Sequence, residues 1–259
     1  MARTNRGHNP MNEDTAATKE NSDFIRVGLW GKKYVNVNVN LPKINLGETN
    51  NKAQIENKVS GMYHISNANI DKIMPVLYPE ELVEVLSFNE RKENRITQFP
   101  NNQIERPDWL DDFIEERILQ QNLDWIHIMY LDDFTKPERL IAVPNHIHMS
   151  ISFCGEGNRK QYIKQINKSK FIFDSRKRKN LYDKIKTDTP IILHDEFGCE
   201  CIISGEMVYE SKIKSIKKLN SLDGAGDIFC AFFIREYIKS GLEGAIQRTP
   251  KLTTQHLKG

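Results

Sequence analysis

Long apolar runs are missing from this sequence. Nowhere do about eighteen hydrophobic residues stand together, so no segment reads as a membrane-crossing helix. The first residues also lack the short apolar core of a secretory signal. Cysteine is scarce, four in 259 residues, which is no disulfide framework for a chain of this length and points to a reducing compartment. Charge of one sign does not dominate either: 37 Lys+Arg stand against 35 Asp+Glu, a formal net charge of +2. A dedicated nucleic-acid binder carries a clear basic excess. No glycine-rich stretch ends in Gly-Lys-Ser/Thr, which removes the Walker type of phosphate loop. These absences leave a soluble cytoplasmic protein with no call for a membrane or a nucleic acid, long enough for one sizeable α/β domain or two small ones.

Residues 1–22 hold almost no large apolar side chains and read as a disordered tail, or as upstream sequence if Met11 is the start. A buried strand is expected at 24–30. At 34–41, YVNVNVNL places Val35, Val37, Val39 and Leu41 on one face and Asn36, Asn38 and Asn40 on the other, a half-buried strand. The asparagine face is either solvated or a set of amides for sugar hydroxyls. A polar loop is expected at 45–58 and a helix at 67–73, followed by two strands at 76–88 and 94–99 joined by a charged turn. An amphipathic helix at 107–122 precedes the apolar strand DWIHIMYL at 124–131, and a short helix is expected at 136–140. From there strands (147–153, 170–173, 191–193, 200–203, 206–209) alternate with helices (159–166, 177–186). That rhythm implies a mainly parallel sheet covered on both faces, which binds ligands at the carboxyl ends of its strands.

The sharpest local signal is Gly224-Ala225-Gly226-Asp227 at the head of an apolar helix that Gly241 should end, with a weaker helix following at 242–257. A glycine turn opening a helix presents unpaired N–H groups that, with the helix dipole, attract an anion. Asp227 in the first turn is then placed to deprotonate a hydroxyl attacking a phosphate. The plainer alternative is a helix start in which Asp227 complements the dipole. Other clusters divide similarly. His146/His148 and Cys199/Cys201 share strand faces, but their spacing matches no structural zinc pattern, and the cysteines read as buried strand residues. Arg176-Lys177-Arg178-Lys179 either meets phosphates or begins a solvated helix, and Asp132-Asp133 is either a cation site or a strand-end turn.

SLDGAGDIF at 221–229 resembles the signature of the ribokinase-like (PfkB) carbohydrate kinase family, Asp-Thr-x-Gly-Ala-Gly-Asp followed by a Phe-rich helix. PIILHDEFGCECII at 190–203 resembles that family's strand, Gly-Glu-x-Gly turn and strand, with Glu196 and Gly198 in register. Fainter echoes lie at Asn94-Arg95-Ile96-Thr97 and at 124–130. The resemblance implies a ribokinase-like three-layer α/β/α fold, with a mainly parallel central sheet and a small β-strand lid, as one domain over 23–259. The lid strands would fall within 34–41 and 76–99; the same strands could instead form the surface of a homodimer. It further implies Asp227 as general base, the N–H groups of Gly224, Ala225 and Gly226 as the anion hole, and Glu196 and Gly198 along the nucleotide. Asn38, Asn40, Gly61 and His64 would lie on the side of a sugar or nucleoside-like substrate. ATP and Mg2+ are the implied cofactors, with no protein-bound metal site assigned.

The departures are equally legible. Ser221 and Leu222 replace the Asp and Thr that open the signature, and Asp195 replaces the first glycine of the nucleotide turn. The Asn-x-x-Glu that orders magnesium should fall near 174–178, where the chain reads DSRKR. Two expectations follow: a divergent ATP-dependent kinase acting on a hydroxyl, or a kinase-like protein that binds nucleotide or sugar without turnover.

Overall fold

The computed structural model describes residues 24–41, 54–90, 94–98, 116, 118, 120–134, 136–214 and 224–258. For 32–41, 54–60, 79–90 and 94–98 it describes the backbone path alone. The expectations for 1–22, for most of the helix at 107–122 and for Ser221, Leu222 and Asp223 lie outside the described residues.

Ten strands join in one sheet among the described residues. In chain order they are β1 (Ile25–Leu41), β2 (Gln54–Gly61), β3 (Ile73–Glu90), β4 (Asn94–Gln98), β5 (Trp125–Ile128), β6 (His148–Ser152), β7 (Phe171–Ser175), β8 (Ile191–Asp195), β9 (Gly198–Ile203) and β10 (Glu206–Lys212). The order across the sheet is β10-β9-β8-β7-β6-β5-β1-β3-β4, with β2 on β1. Strands β3, β1, β5, β6, β7 and β8 run parallel. β9 and β10 turn back antiparallel at one edge through the Ser204-Gly205 hairpin, as its turn residues predict.

β1 does two jobs. Its first part lies between β3 and β5; after a register shift between Gly31 and Lys33 it leaves β5 and pairs antiparallel with β2. A Cβ at Gly31 would stand 2.9 Å from Met129 Cβ, so only glycine allows the backbones to meet at the branch point. The two strands expected at 24–30 and 34–41 are therefore one continuous strand. The far halves of β1 and β3, with β2 and β4, make a second strand group, β2-β1-β3-β4, continuous with the central sheet.

Alternating side chains divide the core into two layers. On one face Ile126, Ile128, Ile151, Ile172, Ile191 and Leu193 pack under Tyr162, Ile166 and Tyr182. On the other, Trp125, Phe171, Phe173, Ile192, Cys199 and Cys201 pack under α1 (Met62–Asn67) and α3 (Ala225–His256). This is the three-layer α/β/α arrangement, and Cys199 and Cys201 are buried strand residues as read. Burial pushes both thiols up to about 12.

Several local expectations are corrected. Part of the 45–58 loop is strand β2, and the helix expected at 67–73 is the earlier α1. The helix expected at 159–166 is a 3-10 turn at Arg159–Tyr162 running into α2 (Ile163–Lys168), and the one at 177–186 is a 3-10 segment at Arg176–Tyr182. Both 3-10 turns start on a side-chain cap, Asn158 Oδ1 accepting from the Lys160 N–H and Ser175 Oγ from the Lys177 N–H, which favours tight short turns over a long helix. No helix among the described residues is long and apolar enough to cross a membrane.

Candidate active site

The carboxyl ends of β5, β6, β7 and β8 and the N-terminus of α3 enclose a cavity of about 170 Å3. Tyr130, Ser152, Asp174, His194, Gly224 and Asp227 are among the residues in its wall. A parallel sheet builds its ligand crevices at such an end.

Gly224 caps α3 in the left-handed conformation, φ 74° and ψ 0°. Its carbonyl accepts the first helical bond from the Ile228 N–H at 3.0 Å. As a glycine it offers no capping side chain, so the first-turn N–H groups are left to the cavity or to a ligand. The missing Cβ is also needed for packing: it would lie 2.3 Å from Cγ and Nδ1 of His64, whose ring on α1 covers the turn. At Gly226 a Cβ would approach His194 Cε1 at 3.2 Å. Two imidazoles thus flank the glycine turn. His194 stacks on Phe229 at 4.4 Å between ring centroids. Burial, only partly offset by Asp174 and Asp195, pushes its pKa down to about 4, so it is neutral near pH 7.

Asp227 is buried, 4% exposed. Its Oδ1 accepts a hydrogen bond from the Tyr130 hydroxyl at 2.6 Å, short enough for a charge-assisted bond. Tyr130 sits just past β5 at φ 60° and ψ 66°, a left-handed conformation an aromatic residue rarely takes. Its own N–H donates to Ser152 Oγ at 3.1 Å on the neighbouring strand. Burial and the adjacent Asp227 raise the Tyr130 pKa well above its ordinary value, so the phenol remains a donor.

A second charged cluster borders the cavity. Asp174, 2% exposed, accepts from Arg159 (Nη2, 2.9 Å) and Tyr182 (2.7 Å) at Oδ2, and from Arg178 Nε (2.6 Å) and the Ser175 N–H (2.7 Å) at Oδ1. Arg159 is fully buried, bonds onward to Asp132 at 3.3 Å and lies over the Phe153 ring at 4.1 Å. The basic run 176–179 is no plain solvated helix start: Arg176 pairs with Asp195 and Lys179 with Glu200.

Mg2+ does not fit the donor sets beside the cavity. Asp132, Asp133 and Cys154 bring their ligand atoms within 4.8 Å of one another. Yet Asp132 Oδ1 accepts from the Cys154 N–H, and its Oδ2 from the Gly155 N–H and Arg159. The third donor is a thiol, a poor ligand for a hard cation. Loss of water around its sulfur, then Asp133 and Asp132 beside it, push the Cys154 pKa up. At Asp174 both oxygens are likewise committed to arginines and a tyrosine.

The residues expected from sequence are distributed unevenly. Gly224, Gly226 and Asp227 meet at the cavity, with Ala225 as the first residue of α3 and His64 against Gly224. Gly61 ends β2 and caps α1 at φ 68°. Asn38 and Asn40 lie in the part of β1 paired with β2 and β3, where only the backbone path is described. Glu196 and Gly198 lie in and after the β8–β9 turn, outside the cavity wall. Gly198 is a glycine for a packing reason, since a Cβ would overlap the Ser211 carbonyl at 2.0 Å. Tyr130, His194 and Arg159 went unassigned: each sits at a strand end or turn, where no periodic pattern flags a single side chain.

No family model and no curated protein matches the sequence. Solved structures do. Adenosine kinase from Sinorhizobium meliloti superposes with a TM-score of 0.60 at 10% identity, covering 92% of this chain and 95% of that one. A carbohydrate kinase from Agrobacterium tumefaciens gives 0.60 at 8% identity, covering 89% and 90%. Ribokinase from Giardia lamblia gives 0.59 at 9% identity, covering 89% and 92%. This chain therefore has the ribokinase-like α/β fold, carried by a sequence distant from all three.

Proposed function

We propose that this protein is an ATP-dependent phosphotransferase that adds phosphate to a hydroxyl of a sugar or sugar-like small molecule, a nucleoside included, in the cytoplasm. The carrying observation is the union of Gly224, Gly226 and buried Asp227 at one cavity on the carboxyl side of a parallel sheet. The similarity of fold to carbohydrate and nucleoside kinases supports the same reading as analogy.

In this reading the acceptor hydroxyl lies beside Asp227, whose carboxylate takes its proton as the oxygen attacks the terminal phosphorus. The N–H groups of Gly224, Ala225 and Gly226 hold the transferred phosphoryl oxygens, aided by the positive end of α3. Glu196 and Gly198 would lie along the nucleotide. The strand group β2-β1-β3-β4 would act as the lid, bringing Asn38, Asn40, Gly61 and His64 to the substrate side and excluding water on closure. Arg178, at the cavity rim, places positive charge near the phosphates.

ADP release measured with ATP across a panel of sugars and nucleosides tests the reading. Turnover should appear with at least one acceptor and fall by at least about a hundredfold in Asp227→Asn, the scale on which catalytic bases act. A wild type and variant with equal turnover would remove Asp227 from the mechanism.

A second reading, ligand binding without turnover, is favoured by the committed oxygens of Asp174 and Asp132, which offer nothing to a magnesium ion. Thermal shift separates the two, since a ligand that binds only the folded state raises the melting temperature. Stabilisation by ATP or a sugar with no ADP release selects the second reading; no shift with any nucleotide counts against both.

A further inference from the structure

The contact between Tyr130 and Asp227 bears on how the proposed base works, and the inference rests on the phosphotransferase reading above. Tyr130 holds an unusual position at some cost, because a non-glycine residue in the left-handed region is strained. The surroundings fix it there: its N–H is tied to Ser152 Oγ, and its ring belongs to the core layer under α3. The result of that strained placement is a phenol aimed at one oxygen of a buried carboxylate, 2.6 Å away.

We infer that Tyr130 is a positioning residue that clamps Asp227 Oδ1 and so fixes the orientation of the carboxylate that takes up the proton. A carboxylate free to rotate about its last bond presents either oxygen, at any angle, to an incoming hydroxyl. With Oδ1 held by a donor that stays protonated, the plane of the group is set by β5 as well as by α3. The step then runs as follows. The acceptor O–H proton passes to the Asp227 carboxylate, and the acceptor oxygen's electron pair forms the new O–P bond. The bond from the terminal phosphorus to the bridging oxygen breaks, its pair leaving with ADP. Tyr130 keeps its own proton throughout, which distinguishes it from a second acid or base.

Two measurements test this. In a double-mutant cycle of Tyr130→Phe and Asp227→Asn followed by urea unfolding, the two substitutions should be coupled by on the order of tenfold in the folding equilibrium. This readout needs no turnover, and no coupling would overturn the clamp. In steady-state kinetics Tyr130→Phe should lower kcat on the order of tenfold, as for a hydrogen bond to a charged group, with KM for the acceptor within about twofold. A kcat equal to that of the wild type would overturn the inference, as would a raised KM at unchanged kcat, since the phenol would then be a substrate contact. Absence of turnover in the wild type with the coupling intact would sink the phosphotransferase reading while leaving the clamp standing.

Discussion

Gly224 answers two demands at once, and they predict different failures. Its φ of 74° favours glycine, and the space where a Cβ would go is filled by the His64 ring at 2.3 Å. Gly224→Ala therefore combines backbone strain with overpacking and should cost at least about 2 kcal/mol, read as a lowered urea midpoint. It should also displace His64 and reduce turnover. Gly226→Ala meets only the edge of His194, at 3.2 Å, in ordinary helical geometry, so its stability loss should be the smaller of the two. Equal midpoints for Gly224→Ala and the wild type would show that the imidazole is not packed on the turn. The same residue explains what could be read beforehand. Glycines at a helix start followed by aspartate carry their meaning locally, so Gly224–Asp227 was legible. Tyr130 was not, because its significance lies in a conformation that tyrosine does not advertise and in a partner 97 positions away.

At the scale of elements, α3 shows how a helix can be legible in outline while its burial is set by distant partners. Gly241 breaks it, as its place after the apolar repeat predicts, with φ 71° and ψ −174° inside the helical run. Across that break Arg248 reaches back to Glu236 at 3.5 Å, while Arg235 holds the same carboxylate at 3.0 Å. Glu236, a charged residue, is thus buried with paired charge, while the apolar Ile238 is 44% exposed. Periodicity assigns a face but cannot foresee an ion pair recruited from beyond a kink. Similar limits apply elsewhere: the 3-10 turns are too short to show a period, and the sequence around Gly31 does not reveal that one strand exchanges neighbours there. The break itself is testable. A Cβ at Gly241 would meet nothing within 4 Å, so Gly241→Ala isolates backbone strain, about 1–3 kcal/mol for a glycine-only conformation. The expected outcome is a lower unfolding midpoint with an unchanged acceptor KM. An unchanged midpoint would mean that the helix straightens at no cost.

For the whole molecule, the nearly balanced charge leaves stability against acid to particular buried groups, two imidazoles among them. His127 is fully buried on β5 between the two ends of the sheet. Trp125 donates its Nε1–H to Ser150 Oγ at 2.9 Å, and the same oxygen lies 2.9 Å from His127 Nδ1. Ser150 Oγ thus links the two rings, and the His127 ring meets the Phe173 ring edge-on at 5.6 Å. Burial pushes its pKa from 6.5 down to about 3, against a weaker opposite pull from Ser150; His194 falls to about 4. Both groups bind a proton more readily when unfolded. Stability is therefore complete above the unfolded value near 6.5, falls as pH drops below it, and stops falling near 3 on account of His127 and near 4 on account of His194. Each should contribute a loss of about 1.4 kcal/mol per pH unit, or about 2 kcal/mol by pH 5. Urea unfolding at pH 7 and pH 5 should show a marked fall in midpoint, and His194→Gln, which removes the less buried of the two groups, should shrink that fall by about half. A midpoint that stays level between pH 7 and pH 5 would place both rings in contact with water in the folded protein, and with it the stacked imidazole that backs Gly226 at the proposed phosphate site.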